Sequence, residues 1–339
     1  MSTPRVSVVI ATYNGELFIG EQLRSLFAQT YLPTEILIGD DSENNLTCQA
    51  IEDVISEATC PVRIIRNNPR KGCTENFSSL AAAAEGDIIF FCDQDDVWLP
   101  KKIEKLVNEL VAHPDIPVVF CNSRFVDKNL NDLGYSTADI LNISAQAVYD
   151  INGRKDFRKY IRPPLMYGHN IAFRKEFRDY FLPIPNRVEA YDLYINYVAF
   201  VKSFRYVPDD LTLFRRHESN SSLQMTFWQR FWNIMIGKQG NEIFDTWNHL
   251  DVAVEELQKK NVPEAANKTP NFEYLKHCRD FFEKRLTRLP GNFLCRFKAV
   301  FFLKDYFLYG TGIKSFARDI FFGVKLTEKI KSNLYSKNQ

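Results

Sequence analysis

The 339-residue chain predicts an α/β fold: a mostly parallel sheet with helices on both faces, followed by a mainly helical C-terminal extension. Three observations carry that expectation. Short apolar runs alternate with amphipathic helical segments as far as residue 120, clusters of Asp, Asn and Gly follow those runs, and the C-terminal end is aromatic and basic.

Val6-Ser7-Val8-Val9-Ile10-Ala11 reads as a buried strand, and Phe18, Ile19, Leu23, Leu26 and Phe27 then share one broad helical face. Further strands are expected at Glu35–Gly39, Val62–Ile65, Asp87–Phe91 and Val118–Phe120. Helices fall between them at Glu75–Ala84 and after Pro100, where Ile103, Leu106, Val107 and Leu110 repeat at helical spacing. Composition narrows the class further. With 45% hydrophobic residues and 43 Lys+Arg against 42 Asp+Glu, the chain is neither collagen-like nor disordered, and a net +1 gives none of the basic excess of a duplex binder. Seven cysteines without a Cys-x-x-Cys pair argue against a zinc site or a disulfide framework and point to a reducing compartment. No signal-peptide pattern and no run of ~18–20 apolar residues is present. The expected location is cytoplasmic, in solution or at the inner face of a membrane.

In open α/β sheets ligands bind beyond the carboxyl ends of the strands. There the chain places Thr12-Tyr13-Asn14-Gly15, Asp40-Asp41-Ser42, Asn67-Asn68 and Asp93-Gln94-Asp95-Asp96. Each cluster alone reads equally as turn and cap chemistry; four on one predicted edge read as a site. Three carboxylates within four residues repel unless a cation neutralises them, and hard oxygen ligands favour Mg2+ or Mn2+ completed by substrate phosphates. No Walker or Gly-x-Gly-x-x-Gly stretch follows any strand, which disfavours P-loop and dinucleotide-binding enzymes.

Val6–Asn14, Asp40-Asp41-Ser42 and Asp93–Asp95, at these separations, resemble the nucleotide-sugar-binding half of family 2 inverting glycosyltransferases of the GT-A fold. The string from Asp93 through Trp98 and Pro100 to Ile103 is similar to bacterial rhamnosyltransferases of polysaccharide synthesis. The resemblance spans about residues 4–225, and it departs where Asp40-Asp41-Ser42-Glu43 replaces the usual Asp-Asp-Gly-Ser. It implies a GT-A domain over 1–225, split into a nucleotide-binding half (1–121) and an acceptor half (122–225), with 226–339 as the helical extension. It further implies that Asp41, with Asp40 beside it, faces the nucleobase, that Thr12 and Tyr13 lie along the nucleoside, that Asp93 approaches the ribose and that Asp95 ligates Mn2+ or Mg2+. Asp96 stands as a helix cap, and Arg70 and Lys71 as loop cations near the nucleotide.

Past residue 120 the pattern loosens, and 122–162 reads as loop with short helices. Tyr167–Phe173 is strand-like, and the resemblance sets Gly168, His169 and Asn170 against the acceptor or donor sugar. Asp192, at the start of a helical run over Leu193–Val201, takes the position of the catalytic base, with Glu189 as the alternative carboxylate. Two short strands, Phe204–Val207 and Leu211–Phe214, precede Arg215-Arg216-His217. By resemblance these give phosphate contacts from Arg215 and Arg216 and a metal ligand from His217. The implied donor is dTDP-rhamnose and the implied acceptor a saccharide or lipid-linked saccharide; the alternatives are a UDP-hexose donor, or a non-catalytic nucleotide-sugar-binding assembly partner.

The balanced charge conceals a split. Residues 284–339 carry twelve Lys+Arg against three Asp+Glu, a net +9, leaving −8 on residues 1–283. Eleven aromatics interleave with those cations, Phe293, Phe297, Phe301, Phe302, Tyr306 and Phe307 among them. The mixture fits an anionic membrane surface, or else aromatic packing on the catalytic domain with solvated cations. No nucleic-acid partner is expected, since no binding motif frames the segment.

Overall fold

A computed structural model describes residues 3–154, 158, 161, 165–217, 239–289, 296–310, 312–322 and 324. The chain divides into two compact units, Met1–Asn220 and Ser221–Gln339.

The first unit is built on one nine-stranded sheet. Strands β1 (Val6–Thr12), β2 (Glu35–Asp40), β3 (Val62–Arg66) and β4 (Ile88–Cys92) form its parallel half in the order β3-β2-β1-β4. Between them run α1 (Ile19–Phe27), α2 (Leu46–Ile55) and α3 (Cys73–Ala83). In β1 and β4 the apolar residues are buried on both faces, the pattern expected of strands covered on two sides. Val8, Ile10 and Phe90 pack with Leu23 of α1 and Ile51 of α2. On the opposite face Phe91 meets Phe77 of α3.

The remaining strands are β5 (Val97–Trp98), β6 (Val118–Val126), β7 (Asp132–Ser136), β8 (Ile171–Arg174) and β9 (Phe204–Arg215). β8 lies antiparallel between β4 and β6, β9 runs parallel to β6, and the short β5 closes the far edge antiparallel to β9. The intervening helices include α4 (Lys102–Ala112), α5 (Thr137–Leu141), α6 (Ala145–Asn152), α7 (Arg178–Phe181) and α8 (Tyr191–Lys202).

Three elements differ from the sequence reading. The fifth expected strand continues to Val126 and pairs with β7, where loop was expected. Its continuation is polar, and Asn122 and Ser123 are buried by hydrogen bonds that hydropathy does not register. The expected pair Phe204–Val207 and Leu211–Phe214 is one strand, because the register shift opposite Cys121–Ser123 absorbs Pro208-Asp209 as an exposed bulge. Finally, Trp98 belongs to β5, too short for any periodicity to reveal.

The second unit is helical, with Gln239–Lys259, Pro263–Ala266, Pro270–Arg288, Leu303–Tyr309 and Ile313–Phe322. Its interior holds a buried ion pair: Arg285 donates to both oxygens of Asp319, at 2.7 and 2.9 Å, and Tyr306 donates to the same carboxylate at 2.7 Å. Removing one partner strands the other charge, so Asp319→Ala is expected to destabilise this unit by about 3–5 kcal/mol, read by urea unfolding. Of the expected tail aromatics, Phe302 and Tyr306 are buried, whereas Phe301 is 90% exposed and Phe307 61%. Phe293 and the side chain of Phe297 lie outside the described residues, as do 218–220 and 325–339. No helix among the described residues is long and apolar enough to cross a membrane.

Candidate functional site

The site lies where the carboxyl ends of β1, β2 and β4 meet the end of β9. At the first of these ends Thr12 is buried, and its hydroxyl donates to Asp40 at 3.0 Å. Asp40 is fully buried and also accepts from the Ser42 amide at 3.0 Å and its hydroxyl at 2.6 Å. Its carboxylate is thereby consumed in shaping the loop rather than presented to a ligand. Asp41 closes the neighbouring loop instead, accepting from Asn67 Nδ2 at 2.9 Å and from the amides of Lys71 and Gly72 at 3.2 and 2.7 Å. Gly72 has φ of +82°, a conformation that glycine adopts without strain. Tyr13 is 40% exposed, and the Arg70 guanidinium lies 3.8 Å over its ring. Gln94 holds the Tyr13 backbone on both sides, accepting its amide at 2.9 Å and donating to its carbonyl at 3.2 Å.

The acidic run after β4 separates into three roles. Asp96 is fully buried and accepts the Arg215 amide at 3.0 Å, while its second oxygen has no hydrogen-bond partner among the described residues. Burial, reinforced by Asp95 and Asp93, holds its carboxyl well above the usual range. Asp95 meets His217 Nε2 at 2.8 Å, two side chains 122 residues apart in sequence. Burial and the charge of Asp93 push the Asp95 carboxyl up, and His217 pulls it back. Asp93 and Asp96 both face His169 Nδ1, at 3.6 and 3.7 Å, and these three form a group of metal-ligand type. Three carboxylates and two imidazoles are gathered here.

Arg215, expected at a phosphate, turns inward. It is 2% exposed and donates to the Asp95 carbonyl at 2.8 Å, to the Lys128 carbonyl at 2.6 Å and to Glu21. Its guanidinium therefore buttresses the acidic loop. Arg216 is half-buried, with its amide on the Val126 carbonyl at 2.8 Å and its guanidinium 5.6 Å from the rings of Phe125 and Phe214. His169 and Asn170, expected against a sugar, are each 1% exposed and lie beneath the site. Ser123 links them, its hydroxyl 2.9 Å from His169 Nε2 and 2.7 Å from Asn170 Oδ1.

Gly168 is where this turn meets Tyr191, the residue before Asp192. A Cβ there would fall 2.0 Å from the Tyr191 hydroxyl, and the Tyr191 ring is fixed between Phe77 and Phe91 at 4.5 and 5.3 Å. The Asp192 carboxylate accepts the Leu193 amide at 2.9 Å. Burial, with the nearby charge of Asp93 acting in the same direction, outweighs this bond, and the Asp192 carboxyl is pushed up to about 6. Glu189 lies on the loop before α8, its carbonyl accepting from Thr74 at 3.1 Å. Gly168→Ala must displace Tyr191 and the adjoining Asp192, so it is expected to cut turnover by about a hundredfold, checked by steady-state rates.

Lys102, which no sequence motif marks, is fully buried under this cluster. Its signal was present, because Lys102 shares the buried face of α4 with Ile103, Leu106 and Leu110.

Comparison with known proteins gives the family and the fold. The profile of Glycosyl transferase family 2 matches residues 7–181. An uncharacterized glycosyltransferase of Nostoc is 25% identical over 223 residues, 65% of this chain and 67% of its own. Three mycobacterial proteins are 33% identical over 117 residues, so the chain spans about a third of their length. Among solved structures, a Pyrobaculum calidifontis mannosyltransferase in complex with GDP-Man and Mn2+ superposes with a TM-score of 0.53 at 18% identity, over 94% of this chain and 86% of that one. S. aureus TarS 1–349 in complex with UDP-GlcNAc gives 0.51 at 17%, over 96% and 97%. At these identities the structural likenesses speak to the fold, which is of the GT-A type.

Proposed function

We propose that this chain, which belongs to glycosyl transferase family 2 and is a glycosyltransferase, carries out metal-dependent, inverting transfer of a sugar from a nucleotide donor to a saccharide or lipid-linked saccharide. The observation that carries the reading is the meeting of Asp95 with His217 at 2.8 Å beside two further carboxylates. A carboxylate and an imidazole brought together from distant segments, with Asp93, Asp96 and His169 as a further group of metal-ligand type, fit Mn2+ or Mg2+. Asp95 and His217 would hold the ion, which supplies positive charge for the departing diphosphate.

The chain's own groups account for the remainder. Asp41 and Tyr13 bound the nucleoside end, with Thr12 and Asp40 shaping the loop behind them, and Asp93, whose charge also reaches Asp192, approaches the ribose. Asp192, ionised above about pH 6, takes the proton of an acceptor hydroxyl as its oxygen bonds to the anomeric carbon. The bond from that carbon to the nucleoside diphosphate breaks in the same displacement, and configuration inverts with no covalent intermediate. Arg216, at the mouth of β9, is the cation assigned to the diphosphate; Arg215 serves it indirectly through the acidic loop. A rhamnosyl donor on deoxythymidine diphosphate rests on the Asp93–Ile103 string. The deciding experiment is a thermal-shift series with dTDP-rhamnose, UDP-glucose, UDP-GlcNAc and GDP-mannose, each with and without Mn2+. Stabilisation by a nucleotide sugar only when Mn2+ is present supports the reading, and none by any donor sinks it.

The second unit favours work at an anionic membrane surface. Val300, Phe301, Phe307, Leu308, Ile313 and Phe321 are exposed within 22 residues, beside exposed Lys298, Lys304 and Lys314. Phosphatidylserine vesicles should carry the full chain in flotation and lose it when Phe301, Phe307 and Phe321 are changed together to Ser. Equal flotation of the two proteins would contradict this localisation.

A further inference from the structure

Beside the start of α8 the surface dips into a cavity of about 380 Å³, within the ~300–1,000 Å³ range of clefts that hold small ligands. One wall is the first turn of α3 with the loop before it, residues 71–75, and the other comes from the segment 184–189 that leads into α8. The walls are tied together. Thr74 donates to the Glu189 carbonyl at 3.1 Å, and the rings of Phe77 and Tyr191 pack at 4.5 Å. None of Thr12, Tyr13, Asp41, Asp93 and Asp95 lines the cavity, so it is separate from the groups assigned to the donor and the cation.

Its lining selects a chemistry. The side chains of Glu75, Asn186 and Glu189 are exposed and have no hydrogen-bond or ion-pair partner among the described residues. Lys71, a cation of the same wall, donates its ammonium to Ser79 at 3.0 Å, and Asp41 already holds the amides of Lys71 and Gly72. Glu75 also stands in the first turn of α3, where its charge answers the positive end of the helix. Two free carboxylates against one engaged ammonium accept hydroxyl donors strongly and repel a phosphate or a uronate. Ile184 and Val188 add the apolar surface on which the C–H face of a sugar ring rests.

Asp192 lies three residues beyond Glu189, no more than ~11 Å of extended chain, yet does not itself line the cavity. Enclosure by the surrounding protein, and then the charges of Asp93, Asp192 and Asp41, raise the Cys73 thiol of this wall to about 12, in keeping with that proximity. A hydroxyl presented to Asp192 therefore belongs to a ring outside the cavity, and the cavity receives the ring joined to it. The turn Gly168–Asn170, which the resemblance sets against the acceptor or donor sugar, is buried and leaves that role to other residues. We propose that this cavity is an acceptor subsite for a neutral sugar unit adjoining the reacting one, so that the acceptor is a neutral saccharide of at least two units. The inference rests on the transferase reading with Asp192 as base, and its test needs no transfer.

Saturation-transfer difference NMR of the full chain, with neither metal nor nucleotide added, is expected to detect at least one of maltose, cellobiose, lactose and N,N′-diacetylchitobiose, and not the anionic cellobiouronate. Asn186→Trp fills the cavity from an exposed position and should weaken disaccharide binding at least about tenfold, and Glu75→Gln about threefold. Glu75→Gln decides the matter if Asn186→Trp does not fold. No saturation of any neutral disaccharide, equal saturation of cellobiouronate, or undiminished binding in the deciding variant overturns the subsite. Full turnover in Asp192→Asn, or a chain that no nucleotide sugar stabilises, would instead sink the transferase reading and leave the disaccharide result standing.

Discussion

Asp192→Asn is expected to lower turnover by ~10²–10⁴-fold while leaving Mn2+-dependent donor affinity within twofold of the native protein. The amide is isosteric and keeps an acceptor for the Leu193 amide, yet it cannot accept a proton from the acceptor hydroxyl. The same variant should melt at a higher temperature near neutral pH. A carboxyl pushed up to about 6 in the folded chain, from an ordinary value near 4, penalises the folded state once pH rises above that range, because the unfolded chain ionises more readily. An uncharged Asn escapes the penalty. In the native enzyme the same shift places an acid limb near pH 6 in kcat/KM, with activity rising toward neutrality. Unchanged turnover, or donor binding lost together with it, would remove Asp192 from this role.

The second large effect belongs to Asp95. Its replacement by Ala is expected to weaken Mn2+ binding in the presence of nucleotide by on the order of a hundredfold or more, with His217→Ala about tenfold or more, both measured by electron paramagnetic resonance titration of free Mn2+. Crowding by Asp93 and burial make the Asp95 carboxylate costly without a cation, and the His217 contact relieves only part of that cost. Binding requires both groups deprotonated, so affinity should fall on acidification. If the two variants titrate like the native chain, the ion is not held by this pair.

Much of this architecture was legible because its signal was apolar. Val6–Ile10 and Ile88–Cys92 are buried along their whole length, and their uninterrupted hydropathy announces a parallel sheet covered on both faces. The carboxylate clusters at the strand ends were legible as well, since turn chemistry confined to one edge is improbable in bulk. What escaped was written in buried polar groups. Asn122, Ser123, Thr212 and Lys102 form an interior held by hydrogen bonds, which resembles a solvated surface when only side-chain polarity is read. The direction of Arg215 was equally hidden. Two adjacent arginines at the end of a strand alternate faces, and only the fold shows that the first of them meets Glu21 and the Asp95 carbonyl.

The 122-residue separation of Asp95 and His217 would give an ion held there a second consequence, mechanical rather than chemical. Closing a loop of that length costs about 4 kcal/mol in chain entropy by the logarithmic rule, most of it already met when β9 inserts between β6 and β5. A cation shared by the two side chains would act as a reversible staple across this closed loop, fastening the last residues of β9 to the acidic turn with a strength set by ion concentration. Donor capture and the tightening of the sheet's far end would then be a single linked equilibrium.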